Sequence, residues 1–200
     1  RAAETYAKRA GLDYSPLRVY LAVDKDRAKR IAAAFEEMAH APADPEVRAA
    51  FEALAKETVA QWQAIKETGL VVEFNQGADP YGNPRNAIRD AVENNHLYIF
   101  PTEDGYGTEG DESATGEDNP MLRPVEGELF GDRPVLVNDI FRAVHDYFGH
   151  VKEGVGFRAR GEENAWAQHM PMYSPLAQRA LSTETRGQNS WVNFGPHAEF

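Results

Sequence analysis

Two hundred residues suffice for one domain with a sizeable core, and 32 acidic against 21 basic side chains leave a net charge of −11. That balance argues against nucleic acid as a partner, because a phosphate backbone is held by cationic surface. The absence of cysteine excludes disulfides, thiolate metal sites and thiol nucleophiles. No apolar run reaches the length of about 18 residues that marks a membrane-spanning helix, so a membrane partner is not expected. The N-terminus lacks the basic-then-apolar layout of a secretion signal, and a cytoplasmic setting is expected. The chain opens at Arg1 without a methionine and stops at Phe200 in mid-phrase, from which we expect a segment of a longer polypeptide.

After a polar entry, Leu17 to Val23 (LRVYLAV) has the β-branched and aromatic content of a short strand. Asp24 then caps a helix in which Ala28, Ile31, Ala32, Phe35 and Met38 recur at three- and four-residue steps. Asp44 and Pro45 open the clearest helix, with Val47, Phe51, Leu54, Thr58, Trp62 and Ile65 on one stripe and Gly69 as its stop. Residues 17–69 thus read as a strand followed by an antiparallel helix pair. Aromatic residues at helical spacing are core positions rather than a ligand box.

Leu70 to Phe74 and His96 to Phe100 read as strands flanking a turn-rich stretch and a helix over Asn86 to Asn94, which predicts a small sheet beside the helices. Residues 102–119 are acidic, glycine-rich and nearly devoid of apolar side chains. They lack the regular spacing of a calcium loop, and a solvated loop acting as a lid is expected. Val135 to Val137 lead into a helix capped by Asn138 or Asp139. A further helix runs from Arg158 to Met170, where Pro171 halts it; another restarts at Ser174-Pro175 and ends near Gly187, and Trp191 to Phe194 have strand-like residue types. There is no internal repeat, P-loop, GxGxxG or GxSxG.

Chemistry concentrates in the C-terminal third, at His145-Asp146-Tyr147-Phe148-Gly149-His150-Val151. A neutral imidazole is the commonest protein metal ligand. On an unbroken α-helix, however, residues five apart point roughly 140° away from each other. Gly149 supplies a way out if it takes the left-handed backbone that ends a helix, leaving His145 in the last turn and His150 just beyond. The third ligand is open among Glu162, Glu163, His169 and Glu184. Two histidines and one carboxylate form the facial triad of non-haem iron(II) oxygenases, whereas adding His169 favours a closed, zinc-like site. The bland alternative is a helix-end histidine pair that caps carbonyls and packs. Glu162 and Glu163 fit a solvated helix face, a partner for the free N–H of a ligand histidine, or a general base in a zinc hydrolase. Asp146 could orient a ligand histidine in the same way. Arg158, Arg160 and Arg186 bracket the region and could clamp a substrate carboxylate or pair with surplus acids.

The histidine motif resembles the iron-binding stretch of the pterin-dependent aromatic amino acid hydroxylases, in which a His-[Glu/Asp]-x-x-Gly-His-Val-like sequence binds Fe(II). That family completes its site with a glutamate some forty residues on, late in a helix with a Leu-Ala start. Leu176-Ala177 through Glu184 is similar to that passage. The resemblance spans residues 139–195 and implies His145, His150 and Glu184 as iron ligands, with tetrahydropterin as cosubstrate. The chain departs from the family at Ala180, which stands where an aromatic residue is usual, and at Thr185-Arg186; no residue maps onto the pterin-stacking phenylalanine. GFRARGEENAW and TETRGQNSWVNFG also look like stretches in uncharacterised domains of large bacterial and phage proteins.

The expectation is therefore an α+β, mainly helical single domain with a few short strands and a metal site at helix ends within residues 138–195. Its function is expected to be that of an Fe(II)-dependent oxygenase acting on a small, carboxylate-bearing molecule, with Glu163 and Arg186 as catalytic candidates. The rival readings are a zinc hydrolase at the same site and a non-enzymatic interaction domain of a larger protein.

Overall fold

In the computed structural model, which describes residues 1–105 and 119–198, the polar entry is itself a helix. This helix, α1 (Ala2–Ala10), buries Ala3, Tyr6 and Ala7 and ends at Gly11 in the left-handed conformation, φ 68°. Next come α2 (Lys25–Glu37), whose Asp24 cap accepts from the Arg27 amide at 2.9 Å, and α3 (Pro45–Lys66), whose Asp44 cap accepts from the amides of Glu46 and Val47. Strand β1 (Val71–Phe74) leads through α4 (Pro84–Arg89), a π-helical turn (Asp90–Asn94) and strand β2 (His96–Ile99) to the short helix α5 (Thr102–Gly105). Strands β1 and β2 are parallel, with Val71 opposite His96 and Phe74 opposite Ile99. Strands β3 (Pro124–Phe130) and β4 (Arg133–Leu136) form an antiparallel hairpin. The rest is helical: α6 (Val137–His145), a π-helical turn (Asp146–Val151), α7 (Ala159–His169), α8 (Pro175–Ser182), a second such turn (Thr183–Gly187) and α9 (Gln188–Phe194). The chain is a mainly helical α+β domain with a few short strands.

One core cluster joins the small sheets to α3 and α6 through Trp62, Ile65, Leu97, Phe130, Ile140 and Phe148. The rings of Trp62 and Phe74 meet Phe130 at centroid distances of 5.2 and 5.5 Å. A second cluster seats α8 on α3 through Leu54, Tyr173, Ala177 and Leu181. Phe148 is fully buried. At about 1.5–3 kcal/mol for a buried side chain of this size, it anchors the histidine-bearing turn against the first cluster.

Several expectations change. Leu17 to Val23 bends at Val19 and joins no sheet among the described residues; it lies along α7, where Gln168 pairs with both the amide and carbonyl of Leu17 (3.2 and 2.7 Å), and Asn164 does the same for Leu21 (2.7 and 2.9 Å). Two carboxamides satisfy the backbone in place of a neighbouring strand. Helix α2 takes α9 rather than α3 as its partner, with Phe35 on Trp191 at 6.2 Å between ring centroids and the Trp191 indole donating to Glu36. That contact also explains why Trp191 to Phe194 is helical: Gly187 and Trp191, four residues apart, both reach Phe35 only on a helix. The helix expected to end near Gly187 instead continues through the π-helical turn into α9. Of the acidic stretch expected as a lid, residues 106–118 lie outside the described residues.

Candidate metal centre

Helix α6 starts at Val137 with Leu136 at its cap, so Asn138 and Asp139 lie inside the first turn rather than at the cap; the Asp139 carboxylate reaches back to accept from the Leu136 amide at 2.8 Å and ties Thr102 down through its amide (2.7 Å) and hydroxyl (2.6 Å). It ends on His145, and the backbone then widens. The Lys152 amide bonds the Tyr147 carbonyl at 2.9 Å, and the Val155 amide bonds the His150 carbonyl at 3.1 Å, both five residues back. A π-helical winding brings residues five apart toward the same side of the helix, where an α-helix would separate them. Gly149 is thus not a left-handed stop; its φ is not positive. Its role is close approach. A Cβ there would lie 3.0 Å from the Ala165 Cβ and 3.2 Å from the Ala165 carbonyl oxygen, so glycine lets α7 settle against the turn without a shift. Glu162, one turn before Ala165, consequently overhangs both imidazoles.

The Nε2 atoms of His150 and His145 lie 3.4 and 3.6 Å from one oxygen of Glu162, beyond the roughly 3.2 Å limit of a good hydrogen bond. Donor atoms about 2.1 Å from a shared ion stand about 3.0 Å apart at a right angle and about 3.4 Å apart at a tetrahedral angle. Among the described residues the buried His150 Nε2 has no hydrogen-bond partner, while its Nδ1 faces the Val155 carbonyl at 3.3 Å. His145, His150 and Glu162 are the group of three among the described residues whose donor atoms all fall within 4.8 Å of one another. These three side chains could hold one ion.

Electrostatics favour a cation there. Burial works to raise the Glu162 carboxyl, but the facing imidazoles outweigh it and hold it down at about 2. Burial works to lower the His150 imidazole, yet Glu162 and Asp146 carry it above the ordinary value. The Asp146 carboxyl is itself pushed up by burial, against the pull of the two histidines. A metal requires neutral imidazoles, so binding is expected to be full above the raised His150 value and to weaken as pH falls through it, with Glu162 remaining ionised throughout. Titration calorimetry between about pH 8 and pH 6 checks this against the ordinary imidazole range; an affinity flat with pH would contradict it.

The site opens into a cavity of about 1070 Å³ bordered by Phe141, Phe157, Arg142, Arg158, Glu184 and Trp191, among others. The Phe157 ring covers His150 at 4.3 Å between centroids, and Phe141 stacks on His145 at 5.9 Å. Glu184, the ligand the family resemblance implies, lines this cavity but is not in the group of three. Among the described residues its carboxyl has no hydrogen bond or ion pair, and burial pushes it above the usual carboxylate range.

Glu163 points elsewhere: both its oxygens are taken by Arg186, at 3.0 and 2.5 Å, and that guanidinium lies 4.1 Å over the Trp166 ring. The two catalytic candidates are therefore engaged with each other, and neither borders the cavity. Arg160 sits over Tyr20 and donates to the Leu21 carbonyl, which leaves Arg158 as the arginine of the three at the cavity. His169 lies behind His145, Nδ1 to Nδ1 at 3.2 Å, and burial keeps its pKa well below the ordinary value. The residue missed altogether is Gln61, 2.7 Å from the His169 Nε2. Its signal was a carboxamide in the apolar register of α3, in step with Leu54, Thr58 and Ile65.

No protein-family model, no curated protein and no solved structure matches this chain.

Proposed function

We propose that the chain is a mononuclear metalloenzyme of the non-haem iron class, with His145, His150 and Glu162 as the protein ligands and a small organic anion as substrate. The observation that carries the metal is the partnerless, buried Nε2 of His150, set with the His145 Nε2 around one oxygen of Glu162 at ion-sharing distances. Two histidines and one carboxylate would hold a metal with ligand positions to spare, and ferrous iron held there would supply oxygen activation. The resemblance of the histidine motif to the pterin-dependent hydroxylases supports iron over other metals, and tetrahydropterin is the cosubstrate that resemblance offers.

The chain's own residues then bind and orient. Phe141 and Phe157 wall the imidazoles from water. Arg158, whose guanidinium has no ion pair or hydrogen bond among the described residues, and Arg142, whose guanidinium is held through one bond to the Phe100 carbonyl at 3.1 Å, receive the anionic group of the substrate. Asn138, Gln188 and Asn189 offer amide edges to the remainder.

Glu184 favours a second reading. An unpaired carboxyl with a raised pKa in the same cavity suits a proton acceptor for a metal-bound water, as in a zinc hydrolase. Anaerobic titration of chelator-stripped protein separates the two. One equivalent of Fe(II), followed by the half-integer-spin signal of its nitric oxide adduct, is the expected result. Tight zinc binding without iron affinity would favour hydrolysis, and binding of neither ion would contradict both.

A further inference from the structure

Behind the candidate metal ligands runs a buried chain of hydrogen bonds with a single consistent direction. The Gln61 Nε2 donates to the Met172 carbonyl at 2.9 Å. Its amide is thereby oriented with Oε1 toward His169, 2.7 Å from the ring Nε2. A carbonyl oxygen only accepts, so His169 must carry its proton on Nε2. His169 is fully buried, and its hydrogen-bond partners are Gln61 and His145, with no carboxylate between them. A neutral ring with its proton on Nε2 has a lone pair on Nδ1, and that lone pair meets the His145 Nδ1 at 3.2 Å. The proton of this contact then belongs to His145 Nδ1. The lone pair of His145 is left on Nε2, the atom facing Glu162.

We propose that Gln61 and His169 are positioning residues of the metal centre: the relay from the Met172 carbonyl through Gln61 and His169 fixes the His145 tautomer with Nε2 free to ligate. His150 needs no such relay, because its Nδ1 donates directly to the Val155 carbonyl. The two histidines are thus poised by different means, one by its own turn and the other from α3 across the core. The inference rests on the metal-site reading, yet the tautomer is a property of the protein without metal. Partners of ligand histidines that set tautomer and ring orientation typically influence metal affinity or activity by about 10- to 100-fold.

The test has two parts. Long-range 15N–1H correlation spectra of metal-free protein at about pH 9, above the ordinary imidazole range, are expected to show His145 protonated on Nδ1 and His169 on Nε2. The opposite assignment for His145 overturns the relay without any substitution that could unfold the chain. Titration with Zn(II) or Fe(II) is the second part. Gln61→Leu and His169→Leu should weaken binding by about 10- to 100-fold. His169→Asn should stay within about threefold of the parent, because its Oδ1 stands near the place of Nδ1 and still accepts from His145. Unchanged affinity in both leucine variants, with circular dichroism matching the parent, would overturn the proposal while leaving the metal site standing. The predicted tautomers with no metal binding by the parent chain would sink the metal reading and leave the relay.

Discussion

Replacing Glu162 with alanine is expected to weaken Fe(II) or Zn(II) binding by more than about a hundredfold, beyond the range seen for residues that merely support a ligand. The same change at Glu184 should leave affinity within a few-fold. Glu162 is the carboxylate that stands 3.4 and 3.6 Å from the two imidazole Nε2 atoms, and removing it deletes both a donor atom and the negative charge that offsets the cation. Glu184 borders the cavity without belonging to that group. Calorimetric titration of the two variants beside the parent checks the contrast; loss of binding in the Glu184 variant alone would transfer the ligand role to it.

Glu162 has a second consequence in the metal-free protein. Its folded-state carboxyl lies at about 2, below the ordinary value of 4.5. A depressed acid stabilises the fold above its unfolded value and loses that contribution as pH falls toward the folded one. Glu162→Gln should therefore flatten the acid limb of the stability curve between about pH 4.5 and pH 2, measured by denaturant melts.

Gly161→Ala is expected to be the most damaging single methyl in the site. A Cβ at Gly161 would fall 1.6 Å from the Gly156 carbonyl oxygen and 2.4 Å from its carbon, and both are backbone atoms with no rotamer to yield. The gain of about 1 kcal/mol in helix propensity cannot offset such a clash. A loss of about 3 kcal/mol or more is expected from overpacking, a fall in Tm of roughly 6–12 °C for a chain of this size. Metal affinity should fall with it, since Glu162 is the next residue. Gly149→Ala is milder: its Cβ would meet Ala165 at 3.0 Å, a contact that a small shift of α7 relieves. A cost of about 1–3 kcal/mol is expected, recovered in part by adding Ala165→Gly. A Gly161→Ala protein with parental Tm would show that the glycine contact does not hold α7 in place.

What could be read from residues alone divides along the range of the interactions responsible. Helix α3 was legible because Asp44, Pro45 and the apolar stripe are local signals, and strands β1 and β2 because they are short apolar runs between turn residues. The histidine pair was legible as a candidate. Its working geometry was not, because a π-helical turn has no local signature here, and Gly149 serves packing against Ala165 rather than a backbone reversal. Glu162 stood among the candidate ligands, but spacing could not rank it above Glu184 without knowing how closely α7 approaches α6. Leu17 to Val23 has strand chemistry and lacks only a strand beside it, its place taken by Gln168 and Asn164 from 143 residues or more away in sequence. Trp191 to Phe194 is helical because Phe35 of α2 lies against one face, a contact that sequence proximity cannot reveal. The hairpin of β3 and β4 escaped notice because Gly127, at φ 76°, and a register shift between Pro124 and Leu129 interrupt the alternation.

Anomalous diffraction from crystals of the metal-loaded protein locates the ion itself. A single ion is expected, with the Nε2 atoms of His145 and His150 and a Glu162 oxygen at about 2.0–2.2 Å. An ion bonded to Glu184 with Glu162 outside bonding range, or a protein soaked with Fe(II) and Zn(II) that holds no ion between the two imidazoles, would contradict it.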